Sequence, residues 1–205
     1  MDRVNKPVFV ALFILGTVAP VLIMLLAPQP ALRQWWRELS VALGFIGLAL
    51  MGWQFVPLSN MGFLTDTFRR RELLKFHIDV SLVAFCFVLA HPLVLVLGNP
   101  RYIVTFNLLT GVWRMRTGVI AVILTMIIVG TCVWRAQLGM RRNPWIWLHD
   151  ITAVAIIGFS LHHILGVGYY TAVPLQRWLW IVYVVIWAAL IIYTRATAIN
   201  GNANG

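Results

Sequence analysis

Six apolar stretches, at roughly 7–27, 39–58, 76–97, 117–135, 145–166 and 177–194, run almost end to end through this chain. Each is close to the ~20 residues that a helix needs to cross the hydrocarbon core of a bilayer. A backbone in lipid has no water to bond, so every segment must satisfy its own N–H and C=O groups, which selects helices. Composition agrees, because 61% of the residues are hydrophobic and only 11% are charged, outside the balance of a soluble domain. The expected fold is an all-α integral membrane protein, a six-transmembrane helix bundle. The first stretch follows Arg3 and Lys6 and precedes Ala27-Pro28-Gln29-Pro30-Ala31, which imitates a secretory signal. Its apolar run exceeds the ~7–15 residues of a signal core, so it reads as an uncleaved helix.

A net charge of +10 would suit a nucleic-acid binder, but the basic residues are scattered over loop ends instead of gathered on one soluble face, and no nucleic-acid partner is expected. Their distribution reports orientation. With the N-terminus in the cytoplasm, Arg3, Lys6, Arg69, Arg70, Arg71, Lys75, Arg135, Arg141, Arg142 and Arg195 fall inside, and Arg33, Arg37, Arg101, Arg114, Arg116 and Arg177 outside. The inside majority places both termini in the cytoplasm. Trp35, Trp36, Trp113, Trp145, Trp147, Trp178 and Trp180 lie near span ends, as an interfacial aromatic belt would. Cys86 and Cys132 show no paired spacing and read as small buried packing residues.

The longest connections, 28–39, 59–75 and 98–116, hide no soluble domain, and no internal repeat suggests a transporter. Residues 1–199 form one membrane domain, and the small polar tail 200–205 is expected to be disordered. No glycine-rich dinucleotide fingerprint or P-loop is present. A pyridine-nucleotide donor, if one is used, binds elsewhere.

Histidines stand inside the third and fifth spans: His77 with His91, and His149 with His162 and its neighbour His163. Fourteen and thirteen residues separate the members of the two pairs, about 20 Å of helix at ~1.5 Å per residue. An imidazole within the bilayer is costly unless the bundle uses it. Both spans run in the same direction, so His77 and His149 share the inner leaflet while His91 and His162 share the outer. At ~100° per residue, His91 lies about 40° short of full turns from His77. His163 keeps that offset from His149, whereas His162 is about 140° away. Straight-helix geometry favours His163, and a bent helix would be needed for His162. Two histidines per site fall short of the ligand set of a zinc site, but haem needs only two axial ligands from its protein. The plainer alternative is interhelical hydrogen bonding or a proton path. Asp79 and Asp150 read as complements to helix N-terminal dipoles or as acceptors for a ligand imidazole.

Arg69-Arg70-Arg71-Glu72-Leu73-Leu74-Lys75-Phe76-His77 with His91-Pro92, Arg116-Thr117-Gly118, and Trp147-Leu148-His149 with Leu161-His162-His163 resemble spans three, four and five of the ferric reductase-like transmembrane domain shared by ferric reductases and NADPH oxidases. The family's third-span pair has thirteen intervening residues and its fifth-span pair usually twelve, so the resemblance assigns His77, His91, His149 and His162 as axial ligands, with His163 the alternative. It implies two b-type haems stacked across the membrane. They would pass single electrons from a cytoplasmic flavin to the inner haem (His77/His149), the outer haem (His91/His162) and an extracytoplasmic acceptor, ferric iron, oxygen or a partner protein. FAD and NAD(P)H are then expected on a separate chain or module, so the chain is a membrane component of an oxidoreductase, not self-sufficient, in a bacterial cytoplasmic membrane. Phe85, Phe87 and Phe159 lie between the histidine depths as porphyrin contacts or plain packing; Arg69, Arg70, Arg71, Arg114 and Arg116 read as propionate partners or topology determinants. Competing readings are a haem-binding membrane subunit of a periplasmic, methionine sulfoxide-type reductase, a histidine-lined ion or proton transporter without haem, and a structural subunit.

Overall fold

The structure is a computed structural model that describes residues 5–26, 34–59 and 61–203, with side chains to residue 197. Arg3, Arg33 and the signal-like tract 27–31 lie outside the described residues. The described chain is helical: α1 (Lys6–Leu26), α2 (Trp35–Trp53), the single turn α3 (Gly62–Thr65), α4 (Arg70–Gly98), α5 (Trp113–Val133), α6 (Arg142–Val167) and α7 (Pro174–Ala203), with a 3-10 segment, Pro100–Phe106, between α4 and α5. Five of these helices, α1, α4, α5, α6 and α7, are long and apolar enough to cross a membrane. The expected second span forms α2, nineteen residues long, but Arg37 and Glu38 in its first turn lower its apolar character.

Helices outrun their apolar stretches where polar residues follow the same backbone path. α4 begins at Arg70, where the Arg69 backbone N–H donates to the Glu72 carboxylate at 2.9 Å, the reach-back half of a capping box. Asp79 and Asp150 therefore sit more than two turns inside α4 and α6, beyond the first-turn reach of a helix dipole. Asp79 instead pairs with Lys75 at 2.6 Å, and Asp150 pairs with Arg195 of α7. α7 continues as helix to Ala203, into the segment expected to be unstructured, because adding a residue to a formed helix gains a hydrogen bond without a new nucleation step.

Contacts at the ends fix an up-and-down order. Lys6 reaches Glu72 at 3.5 Å and Arg195 reaches Asp150, joining the start of α1 and the end of α7 to the starts of α4 and α6. At the other end Arg37 lies over the rings of Trp36 and Tyr102 at 5.2 and 5.3 Å, and Tyr170 donates a hydrogen bond to Glu38. α2 packs along α4, and α5 along α6, whereas α4 and α6 scarcely approach through their backbones.

A cluster of buried apolar side chains lies where α1, α2, α6 and α7 meet, around Met24, Phe45, Leu48, Ala49, Ile157, Tyr170, Trp180, Tyr183 and Trp187. Trp180 and Trp187 are wholly enclosed. The belt expected from the tryptophans is thus partial: Trp35, Trp113, Trp147 and Trp178 are exposed, but Trp36 and Trp180 are buried against Tyr102 and Phe45, at ring separations of 5.8 and 5.3 Å. The expectation for the cysteines is also corrected. Both Cys86 and Cys132 are exposed, and Cys132, near the end of α5, keeps its Sγ 3.5 Å from His149 Nδ1 of α6.

Proline explains one buried polar contact. Pro20 lies within α1 and has no N–H to give to the Gly16 carbonyl one turn earlier. The Tyr183 hydroxyl of α7 donates to that carbonyl at 2.7 Å, the kind of replacement that lets proline persist in membrane helices. Tyr183→Phe should cost about 1–3 kcal/mol by leaving a buried acceptor unmet. Adding Pro20→Ala restores a helical N–H and should recover most of the loss, as measured by thermal unfolding in detergent.

Candidate functional site

α4 and α6 run side by side in the same direction, and their histidines meet ring to ring at two levels. His77 faces His149 with ring centroids 6.3 Å apart and planes at 68°; His91 faces His163 at 6.3 Å and 70°. Fourteen residues separate the two levels on each helix, so the pairs stand about 21 Å apart along the bundle. Equal spacing on parallel helices is what makes both levels meet at once. His162 turns elsewhere: it is exposed, lies edge-on to Trp113 at 6.2 Å, and its Nδ1 is 3.2 Å from the Thr117 hydroxyl of α5. Of the residues singled out by sequence, the structure brings together His77 with His149 and His91 with His163, and leaves His162 beside them.

Hydrogen bonds fix which ring nitrogen is free. His91 Nδ1–H donates to the Ser40 carbonyl at 2.7 Å, and His163 Nδ1–H donates to the Arg114 carbonyl at 2.7 Å. A carbonyl only accepts, so the proton sits on Nδ1 and the Nε2 lone pair is left for a ligand. The Ser40 hydroxyl in turn donates to the His91 carbonyl at 2.7 Å, locking α2 to α4 at this level. His149 Nδ1 lies 3.5 Å from Cys132 Sγ, and His77 Nδ1 is buried with no hydrogen-bond partner among the described residues. Near the His77/His149 pair, the Ser81 hydroxyl donates to the Gln54 side-chain oxygen at 2.5 Å and lies 2.6 Å from the His77 carbonyl, tying α2 to α4 at this level.

This donor set fits haem. A metal between two imidazoles, with bonds of the ~2 Å length imidazole makes to metals, puts the ring centres about 6 Å apart, and both pairs have that separation. No three His, Cys, Asp or Glu side chains gather to hold an ion among the described residues. Two nitrogens per level suit an iron whose other four positions a porphyrin supplies. The α4 and α6 backbones scarcely approach, so it is the imidazole rings that face one another across the space between the two helices. Neither Asp79 nor Asp150 bonds an imidazole, since each is committed to a cation. Arg116 is committed too, to the carbonyls of Gly111 and Leu109 at 2.5 and 2.6 Å. Phe85, Phe87 and Phe159 are half-buried.

Ser40 and Gly44 carry no signal in the sequence because they sit on a helix without histidines, and nothing in one sequence reports which helix lies beside which; Cys132 reads there only as a packing residue. Gly118 was marked only as part of the Arg116-Thr117-Gly118 resemblance.

No curated protein and no solved structure matches the chain. A family model described as ferric reductase like transmembrane component matches residues 43–160, more than half of the chain, from within α2 to within α6. The match includes His77, His91 and His149 and stops just short of His162 and His163. Matched over more than half of its length, the chain belongs to the ferric reductase like transmembrane component family.

Proposed function

We propose that the chain carries single electrons across a membrane by holding two b-type haems, the inner between His77 and His149 and the outer between His91 and His163. The observation that carries this reading is the pair of equal 6.3 Å ring separations on parallel helices. For the outer site, His163 is chosen over the His162 that the family's usual spacing prefers. Its ring opposes His91, its Nδ1 is pinned by a carbonyl, and it keeps the fourteen-residue interval without bending α6. Each haem, when bound, supplies a one-electron couple at an iron with no open position, which suits relay instead of oxygen activation at the metal. The residues of the chain do the placing: α4 and α6 set the two levels, and α2 and α5 hold the outer imidazoles from behind.

α2 serves as the sixth span in this reading, since nineteen helical residues cover about 28 Å, close to the hydrocarbon thickness. The end bearing His77 and His149 also bears Lys6, Arg69, Arg70, Arg71, Lys75, Arg135, Arg141, Arg142 and Arg195. That excess supports a cytoplasmic side for this end and for both termini. Electrons then enter at the inner site from a flavin and NAD(P)H carried by another protein or module and leave at the outer end to ferric iron or oxygen. A bacterial cytoplasmic membrane is the setting. The test is the visible spectrum of protein purified from haem-replete cells. A reducible Soret and α-band pattern with two haems per chain is expected; folded but colourless protein overturns the proposal.

A further inference from the structure

The connection between α4 and α5 does not stand clear of the bundle. α4 ends at Gly98, seven residues beyond His91, which at ~1.5 Å per residue is about 10 Å further along the helix. α5 begins at Trp113, and it begins low: the Arg114 carbonyl accepts from His163 at 2.7 Å, and the His163 ring faces His91 at 6.3 Å. Residues 99–112 therefore turn back and descend about 10 Å along the flank of the bundle. Tyr102 marks the way down, since its ring lies 5.8 Å from that of Trp36, one turn above the Ser40 carbonyl that holds His91. Ala84 is the midpoint of α4 and of the two histidine levels. A hydrocarbon core ~30 Å thick and centred there leaves the His91 level about 5 Å inside its edge and Gly98 about 6 Å outside it. The descending segment crosses the boundary between headgroups and acyl chains.

Its surface suits that place. From Asn99 to Trp113 the sequence has one charge, Arg101, and no acid. Ile103, Val104, Leu108, Leu109, Val112 and Trp113 are all exposed, Val104 at 70% and Leu109 at 84%. Leu93 and Leu97, a turn apart on α4, are exposed as well, so the apolar surface of the spanning helix continues into the segment. The backbone is tied up by its own side chains. Asn99 accepts from the Arg101 N–H at 3.1 Å, and Asn107 from the N–H groups of Leu109 and Thr110 at 2.8 and 3.1 Å. The Gly111 N–H donates to the Asn107 carbonyl at 2.9 Å, and Arg116 spends its guanidinium on the carbonyls of Gly111 and Leu109. A loop in water can leave such groups to solvent, whereas one at the edge of hydrocarbon has to satisfy them itself.

We propose that residues 99–113 lie in the membrane as an interfacial segment, with Ile103, Val104, Leu108 and Leu109 among the upper acyl chains and Arg101 reaching the lipid phosphates. The occupant of this apolar surface is the leaflet itself. Anchored there, the segment holds the start of α5, and with it the Arg114 carbonyl that accepts from His163.

The test is a depth measurement in vesicles of phosphatidylcholine and phosphatidylglycerol. Val104→Cys and Leu109→Cys, each in a Cys86→Ala/Cys132→Ala background, carry a nitroxide label. Power saturation compares its collisions with oxygen, which concentrates in lipid, and with a nickel chelate, which stays in water. Both labels should sit ~5–10 Å below the headgroup surface, the depth of the apolar face of an interfacial segment, and should favour oxygen as a label at Leu93→Cys does. A label reached mainly by nickel puts the segment in water, and one reached by neither probe puts it under protein, such as a second copy of the chain. Either result overturns the proposal. Should the cysteine-free background fail to fold, p-benzoylphenylalanine in place of Leu109 in the otherwise native chain decides the matter on irradiation in the same vesicles. Phospholipid adducts in the mass spectrum are expected; adducts to protein alone, or none, overturn the proposal.

Discussion

His163→Ala will lower the haem content from two per chain to one, whereas His162→Ala will leave it at two. Pyridine haemochrome quantification against protein concentration reads this directly. His91→Ala should match His163→Ala, and His77→Ala and His149→Ala should each remove the other haem. Each substitution deletes one of two axial bonds, so it should weaken the affected site by more than the ~10–100-fold that loss of an outer-sphere partner brings. The double variant His77→Ala/His163→Ala should be colourless, while His91→Ala/His163→Ala should keep one haem, because the second pair of substitutions falls on a single level. Loss of the outer haem in His162→Ala, with His163→Ala intact, would mean that α6 turns from the register seen here and that the family's usual spacing prevails.

Gly52→Ala is the substitution expected to damage the fold most. A methyl group on Gly52 of α2 would stand 2.0 Å from the Trp187 ring of α7, and Trp187 is fully enclosed, with Trp53 and Tyr183 packed at 6.0 and 5.6 Å. An indole core cannot swing aside as the end of a flexible side chain would, so α2 and α7 must separate. The cost should lie at or above the ~3 kcal/mol top of the usual overpacking range. Trp187→Ala opens a void instead and should cost ~3–5 kcal/mol. Combining Gly52→Ala with Trp187→Leu should recover part of the first loss, because the smaller side chain frees the space the methyl needs. Thermal unfolding in detergent measures all three. An unchanged melting temperature for Gly52→Ala would show that the two helices do not meet as described.

Much of this architecture was legible in the sequence for a simple reason. Lipid removes the alternatives to helix, so apolar length alone located the six long helices, to within a few residues for most ends. The facing of His77 with His149 follows from two parallel helices, and fourteen residues is nearly a whole number of turns; the sequence left the partner of His91 divided, straight-helix geometry favouring His163 and the resemblance assigning His162. What remained hidden depends on neighbours. That α2 backs α4 and α5 backs α6, that Gly44 and Gly118 admit the rings of His91 and His163, and that Arg195 takes Asp150 are facts of tertiary packing. They leave no periodic trace along the chain. Hydropathy also could not separate lipid-facing from bundle-facing apolar residues, because lipid and bundle are equally dry. Cys86 on the outside, and Trp36 and Trp180 on the inside, follow from that.

The contact between Pro20's turn and Tyr183 bears on how the protein is made. Tyr183 lies 167 residues after Gly16, so at translation rates of ~5–20 residues per second the freed carbonyl of the first helix waits roughly 10–30 s for its donor. The nascent bundle stays open along that seam until α7 leaves the ribosome and packs against α1.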